Sequence, residues 1–467
     1  MGCLTPSLRQ PEIVSDLALM ENFVQSESLD FDGDADSSRV EWWKRFEQSE
    51  LNAWVDELLS ENYDLAVAME RIEQARAIRN QSIARLLPSL SASAGVQRDQ
   101  TPNSSFDDFN YSTLYTGGAT VGWDTDLFGQ LRNSERSAYY SAQSAALNYR
   151  SLEQLYIAEL VRAWIAVQTI GRRIELNNII VESFSATANV SEQRYRAGSS
   201  GTSATDVQIT KANLLSAQAN LPELESASIA QYHALDILLG RLPGTTRAGG
   251  VSSMELPNFD PVPVGTPATL LADRPDVAAA ELSYRAALSD VGAARAQLFP
   301  GLSLTARLSF QETDSSDLFD WDRHIGSLIG SLTAPIFQGG ALRAQLDQAW
   351  SVARQVSYEY ASVALNAVVD VENALTAERN LDRQVLLLRD NVEAAELANQ
   401  IANDRYRDGL VPLLTVLETQ RNLNSSLQNL ILTEQSRWNA RVNLYLALGG
   451  DWVLAEDRQD SSSSGNN

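Results

Sequence analysis

The sequence predicts a mainly α protein with a small β part, duplicated internally and built on helices far longer than the globular norm. Three observations predict it. Four short motifs recur in one order at a period of about 210 residues. Each half contains a stretch of nearly 70 residues with no proline and at most one glycine. Each half also carries a pair of short alternating segments bounded by turn residues.

The duplication is read from matched segments. Arg85-Leu86-Leu87-Pro88-Ser89-Leu90-Ser91 returns as Gln297-Leu298-Phe299-Pro300-Gly301-Leu302-Ser303. Asp126-Leu127-Phe128-Gly129 returns as Pro335-Ile336-Phe337 followed by Gly339-Gly340. Arg194-Tyr195-Arg196-Ala197-Gly198 returns as Arg405-Tyr406-Arg407-Asp408-Gly409, and Leu238-Leu239-Gly240 as Ala447-Leu448-Gly449. The expected layout is a leader over 1–50, a first repeat over 51–245, a linker over 246–272, a second repeat over 273–452 and a Ser- and Asp-rich tail over 453–467 that reads as disordered.

Each repeat has the same parts. Residues 51–86 read as one helix with an apolar stripe through Leu58, Leu65, Val67, Ile72 and Ala75, stopped by Pro88. A strand pair over 89–123 follows. A helix over 130–198 would be roughly 100 Å long and end at Gly198. A further helix over 205–240 contains Pro222, where a kink is expected. The second repeat gives a helix over about 275–298, a strand pair over 301–335, a long helix over 341–408 and a helix over 413–448. In the second long helix Leu342, Leu346, Ala349, Ala353, Val356, Tyr360 and Val363 step 4-3-4-3-4-3, a coiled-coil seam that resumes at Leu381, Val385, Leu388, Val392 and Ala395.

In the strands, Leu302, Leu304, Ala306, Leu308 and Phe310 alternate with polar residues; Leu90, Ala92, Ala94 and Val96 do the same. Tyr111, Tyr115, Val121 and Trp123 share one face, while 321–335 alternates poorly. A half-buried sheet and a lipid-facing barrel both give this pattern. Four strands do not close a barrel, and an open edge does not survive in lipid, so the barrel reading requires oligomerisation; three chains give twelve strands.

Composition narrows the function. A net charge of −24 disfavours nucleic acid as a partner. No apolar run reaches the roughly 18 residues of a membrane-spanning helix. The single cysteine excludes an internal disulfide framework. His233 and His324 lie in opposite halves without ligand spacing, and phosphate-loop, dinucleotide and nucleophile-elbow motifs are missing, so neither enzyme activity nor a cofactor is expected. Asp30, Asp32, Asp34, Asp36 and Glu41 have the spacing of a calcium loop, but Ala35 replaces its glycine, and a solvated acidic leader is the expected reading.

Several segments together resemble the outer membrane factor family, in the NodT and OprM-like lipoprotein branch of the TolC-like channels. They are Trp42-Trp43 with Phe46, Leu51, Asn62, Asp64-Leu65 and Ala75; Trp123 to Gly129, with Asp124 where the family usually has Glu; Leu238-Leu239-Gly240-Arg241 and Pro243-Gly244; Pro267, Leu270-Leu271 and Arg274-Pro275-Asp276-Val277; Phe299-Pro300, Pro335-Ile336-Phe337, Leu342-Arg343-Ala344 and Val371 to Leu375. The resemblance covers roughly 40–450. It implies a homotrimer with a long α-helical barrel and a twelve-stranded outer membrane β-barrel. It also implies a belt formed by linker and termini, and a duct for small molecules served by a periplasmic adaptor and an inner membrane pump. A duct for protein secretion is the alternative cargo reading. Gly2-Cys3 resembles the end of a lipobox, which implies acylation at Cys3 and an added lipid anchor in the outer membrane. Leu414 and Glu418 match the apolar and acidic constriction positions of the periplasmic aperture; Asp206 and Tyr406 match an acid and a tyrosine in contact there. Thr415 stands where some TolC-like channels have an acid, and no arginine follows Gly409, so a weaker charge lock is expected.

Overall fold

A computed structural model describes residues 41–102, 109–198, 201–246 and 274–450. Cys3, the acidic positions 30–36, the linker from 247 to 273 and the tail from 451 lie outside the described residues.

After a 3₁₀ turn at Trp42–Phe46, the chain forms α1 (Ser49–Glu61), α2 (Tyr63–Ala84), β1 (Ser89–Pro102), β2 (Phe109–Thr125), α3 (Gln130–Arg196) and α4 (Ala204–Leu238). The second half forms α5 (Pro275–Ala296), β3 (Gly301–Glu312), β4 (Ile325–Thr333), α6 (Ala341–Arg407) and α7 (Leu413–Ala447). The two long helices have 67 residues each.

One correction concerns 51–86, which forms two helices. The break is at Asn62, whose backbone is extended. Its side-chain oxygen accepts the N–H groups of Asp64 (2.9 Å) and Leu65 (3.0 Å), and its amide donates to the Leu238 carbonyl at 2.8 Å. A capping side chain thus satisfies the first turn of α2 and fixes it to the end of α4. In contrast, α4 runs unbroken through Pro222.

The residues pack as two units, and each draws on both sequence repeats: 69–147 with 278–363, and the remaining described residues. The first unit holds an antiparallel sheet in the order β1-β2-β3-β4. Its helices meet along the predicted seam, where Ala353 packs with Ala287 and Val291 beside Leu346, Ala349 and Val356. The second unit centres on an aromatic and aliphatic core. Trp42 stacks on Tyr445 with centroids 5.3 Å apart, and Phe46 lies edge-on to Trp164 at 5.8 Å, with Leu51, Val55, Leu58, Ile157 and Val442 fully buried around them. The motif around Trp42-Trp43 is therefore part of this core.

Candidate functional site

Strand register settles which residues share a sheet face. Directly paired residues in an antiparallel sheet point the same way. Leu90 pairs with Val121, Val121 with Ala306, and Ala306 with Leu328. Val96 pairs with Tyr115, Trp123 with Leu304, and Leu302 with Leu332. One face is thus largely apolar across all four strands, with Arg98, Gln100 and Glu312 on it only at the end away from the helices. It is also open: Leu90 is 75% exposed, Leu328 80% and Leu332 67%. The opposite face carries Ser91, Ser93, Thr120, Ser303, Thr305, Arg307 and Ser327. On β4 the pattern weakens, because Ile325 and Ile329 join the polar face. Both β1 and β4 pair on one side only.

Aromatic residues gather at both ends of the strands. Phe319 and Trp321, in the β3–β4 connection, stand 5.7 and 6.2 Å from Phe310. Phe319 folds over Gly117, where an added Cβ would lie 3.0 Å from its ring. At the helix side Phe128 stacks on Phe299 at 4.9 Å. The motif from Trp123 to Gly129 has a local reason. Trp123 Nε1 donates to the Leu86 carbonyl, Gly129 takes a φ of 80°, and Asp126 accepts the backbone N–H groups of Leu131 and Arg132 at 2.9 Å each. A carboxylate therefore closes the exposed N-terminus of α3, where the helix dipole favours it. Next to the free edge of β4, Ile336 and Phe337 are 96% and 87% exposed beside an open cavity of about 760 Å³. Among the described residues no helix is long and apolar enough to cross a membrane.

The second candidate region is the end where α3 turns into α4 and α6 into α7. Gly198 and Gly409 adopt φ of 67° and 74°, the left-handed conformation that closes a helix. Leu414 and Glu418 lie one turn apart on the exposed side of α7, while Leu413, Val416 and Leu417 pack inward with Ala402 and Tyr406. Among the described residues no hydrogen bond joins Asp206 to Tyr406. Asp206 instead caps its own helix: it accepts the Ser203 N–H at 2.8 Å, and its N–H donates to Ser203 Oγ at 3.3 Å. The Tyr406 hydroxyl is buried without a hydrogen-bonding partner among the described residues. What holds Tyr406 is Arg194, which the sequence reading missed. Its guanidinium lies 4.3 Å from the Tyr406 ring centroid and donates to the Arg407 carbonyl at 2.9 Å. The repeated Arg-Tyr-Arg triplets were the available signal, since they place both partners at corresponding helix ends.

Buried charge ties the helices of the second unit together. Glu434 accepts from Arg172 at 2.8 Å and from Arg389 at 3.0 Å, and Arg437 and Arg441 on the same helix pair with Asp382 and Glu378. Burial raises the Glu378 carboxyl against the pull of Arg441. Arg274 binds Asp276 at 2.7 Å and Asp370 at 3.3 Å and donates to the Ala447 carbonyl, which gives the Arg274-Pro275-Asp276 motif a structural role. Burial pushes Glu153 up to about 7, partly offset by Arg150.

A family model described as outer membrane efflux protein matches residues 54–241 and 266–450. The pyoverdine export outer membrane protein OpmQ of Pseudomonas aeruginosa is 30% identical, over 91% of this chain and 90% of its own length. The probable outer membrane lipoprotein SilC of Salmonella typhimurium is 26% identical, covering 88% of each chain. Among solved structures, the outer-membrane channel OprN superposes with a TM-score of 0.82 at 29% identity, covering 88% of this chain and 92% of that one.

Proposed function

The chain belongs to the outer membrane efflux protein family, and from that membership we propose that three copies form the exit duct of a tripartite export system. In this reading a periplasmic adaptor and an inner membrane pump deliver small molecules, which leave through the trimer without chemical change. The observation that carries the reading is the sheet: one largely apolar face, one mainly polar face and two unpaired edges. An apolar face of this extent needs a partner, and lipid fits it. Unpaired backbone in lipid is excluded, so the edges close on other copies. Three copies supply twelve strands, an even number within the barrel range. Ile336 and Phe337, exposed beside the β4 edge, are the apolar contacts such a neighbour would cover.

At the other candidate region, three-fold symmetry would bring the exposed Leu414 and Glu418 into an apolar ring and an acidic ring at the periplasmic aperture. Acylation at Cys3 would add a lipid anchor to barrel insertion. The test is functional. Cells lacking the protein should retain exported cargo, and purified protein should give discrete conductance steps in planar bilayers. Extraction without detergent together with no conductance would contradict the reading.

A further inference from the structure

Resting on the barrel reading, the polar sheet face forms the lumen, and its charges are few. Among the described residues it carries Arg307, Asp124 and Asp99. Arg307 pairs laterally with Thr120 on one side and Ser327 on the other, and Thr120 pairs in turn with Ser91. Its own strand places Thr305 and Ser309 on the same face. None of these side chains is large enough to cover a guanidinium or charged enough to neutralise it. Arg307 is exposed and makes no hydrogen bond or ion pair among the described residues.

The acids on this face are too far away to cancel it. Asp124 pairs with Ser303, four residues along the strand from Arg307, a rise of about 13 Å. Asp99 pairs with Ser112, eight residues from Thr120, a rise of about 27 Å. Both exceed the screening length of about 8 Å at physiological salt.

We propose that Arg307 is a selectivity-determining residue of the outlet, where three copies form a cationic ring that favours small anionic solutes. A twelve-stranded barrel has a backbone radius of about 12 Å from strand spacing and tilt. A guanidinium reaches roughly 6 Å inward, so its three copies stand about 10 Å apart and no path through that level avoids their field. The Arg307 ring would thus carry the opposite sign from the Glu418 ring.

The experiment measures the zero-current potential of the full-length protein in planar bilayers under a potassium chloride gradient. At low salt, Arg307→Gln should lower the anion-to-cation permeability ratio about twofold, and Arg307→Lys should leave it near the parent value. The difference should vanish near 1 M salt. An unchanged ratio for Arg307→Gln at low salt would overturn the proposal. In a Cys3→Ser background, Arg307→Cys should react with a charged methanethiosulfonate and Ala306→Cys should not. The reverse pattern would mean that the sheet faces are exchanged, and the barrel reading itself would fail. Reaction at Arg307→Cys with no effect of Arg307→Gln on permeability would refute the selectivity role alone.

Discussion

Burial holds the Glu153 carboxyl at about 7 instead of its ordinary 4.5. A raised acid favours its protonated form in the fold. Its stabilising contribution is complete below about 4.5 and is lost as pH rises through about 7. Glu153→Gln should therefore flatten that part of the stability profile, a difference on the order of 2 kcal/mol between pH 5 and 8. Unchanged pH dependence of thermal unfolding would refute this. At the aperture, Leu414→Ala should raise single-channel conductance and Glu418→Gln should lower cation preference; no change in either variant would place the constriction elsewhere. Tyr406→Phe should leave both unchanged, because its hydroxyl holds no partner among the described residues. Arg194→Ala should loosen this end instead, seen as higher conductance. Leu414 and Glu418 came from the family resemblance, and the helix places both on its exposed side. Asp206 was also legible as a helix-start acid, since Ser203 three residues before it completes a local capping box; what the sequence left open was whether it also reaches Tyr406.

Long helices were legible in the sequence because breakers are scarce over long stretches, and their ends because Gly198 and Gly409 supply the left-handed residue. The break at Asn62 was not, since nothing there disrupts the apolar stripe; the interruption comes from side-chain hydrogen bonds. Asn62→Ala should cost about 1 kcal/mol for the lost cap, with a larger loss if the bond to Leu238 also matters. A melting temperature equal to the parent would show the cap to be idle. The ion-pair ladder on α7 was also hidden, because Glu434 meets partners 45 and 262 positions away. Glu434→Ala strands Arg172, whose side chain is 22% exposed, and should destabilise the chain by roughly 2–3 kcal/mol. Glu434→Gln should cost less, since it keeps an acceptor. Equal effects of the two variants would argue that packing alone operates there.

Taken whole, the two units each combine segments from both repeats. A duplication visible along the sequence thus does not divide the molecule into two independently packed halves. The sheet needs both halves, because its central pairing joins β2 to β3. Alternation alone left a half-buried soluble sheet and a lipid-facing one equally open. Register decides that most apolar residues of the four strands share one largely exposed face, with Ile325 and Ile329 of β4 on the other, and family membership decides the membrane. The central claim is that these strands close only across three chains. Native mass measurement of the detergent-extracted protein tests it most directly. The account predicts a species of three chain masses that persists on dilution; a stable monomer or dimer of full-length protein would contradict it.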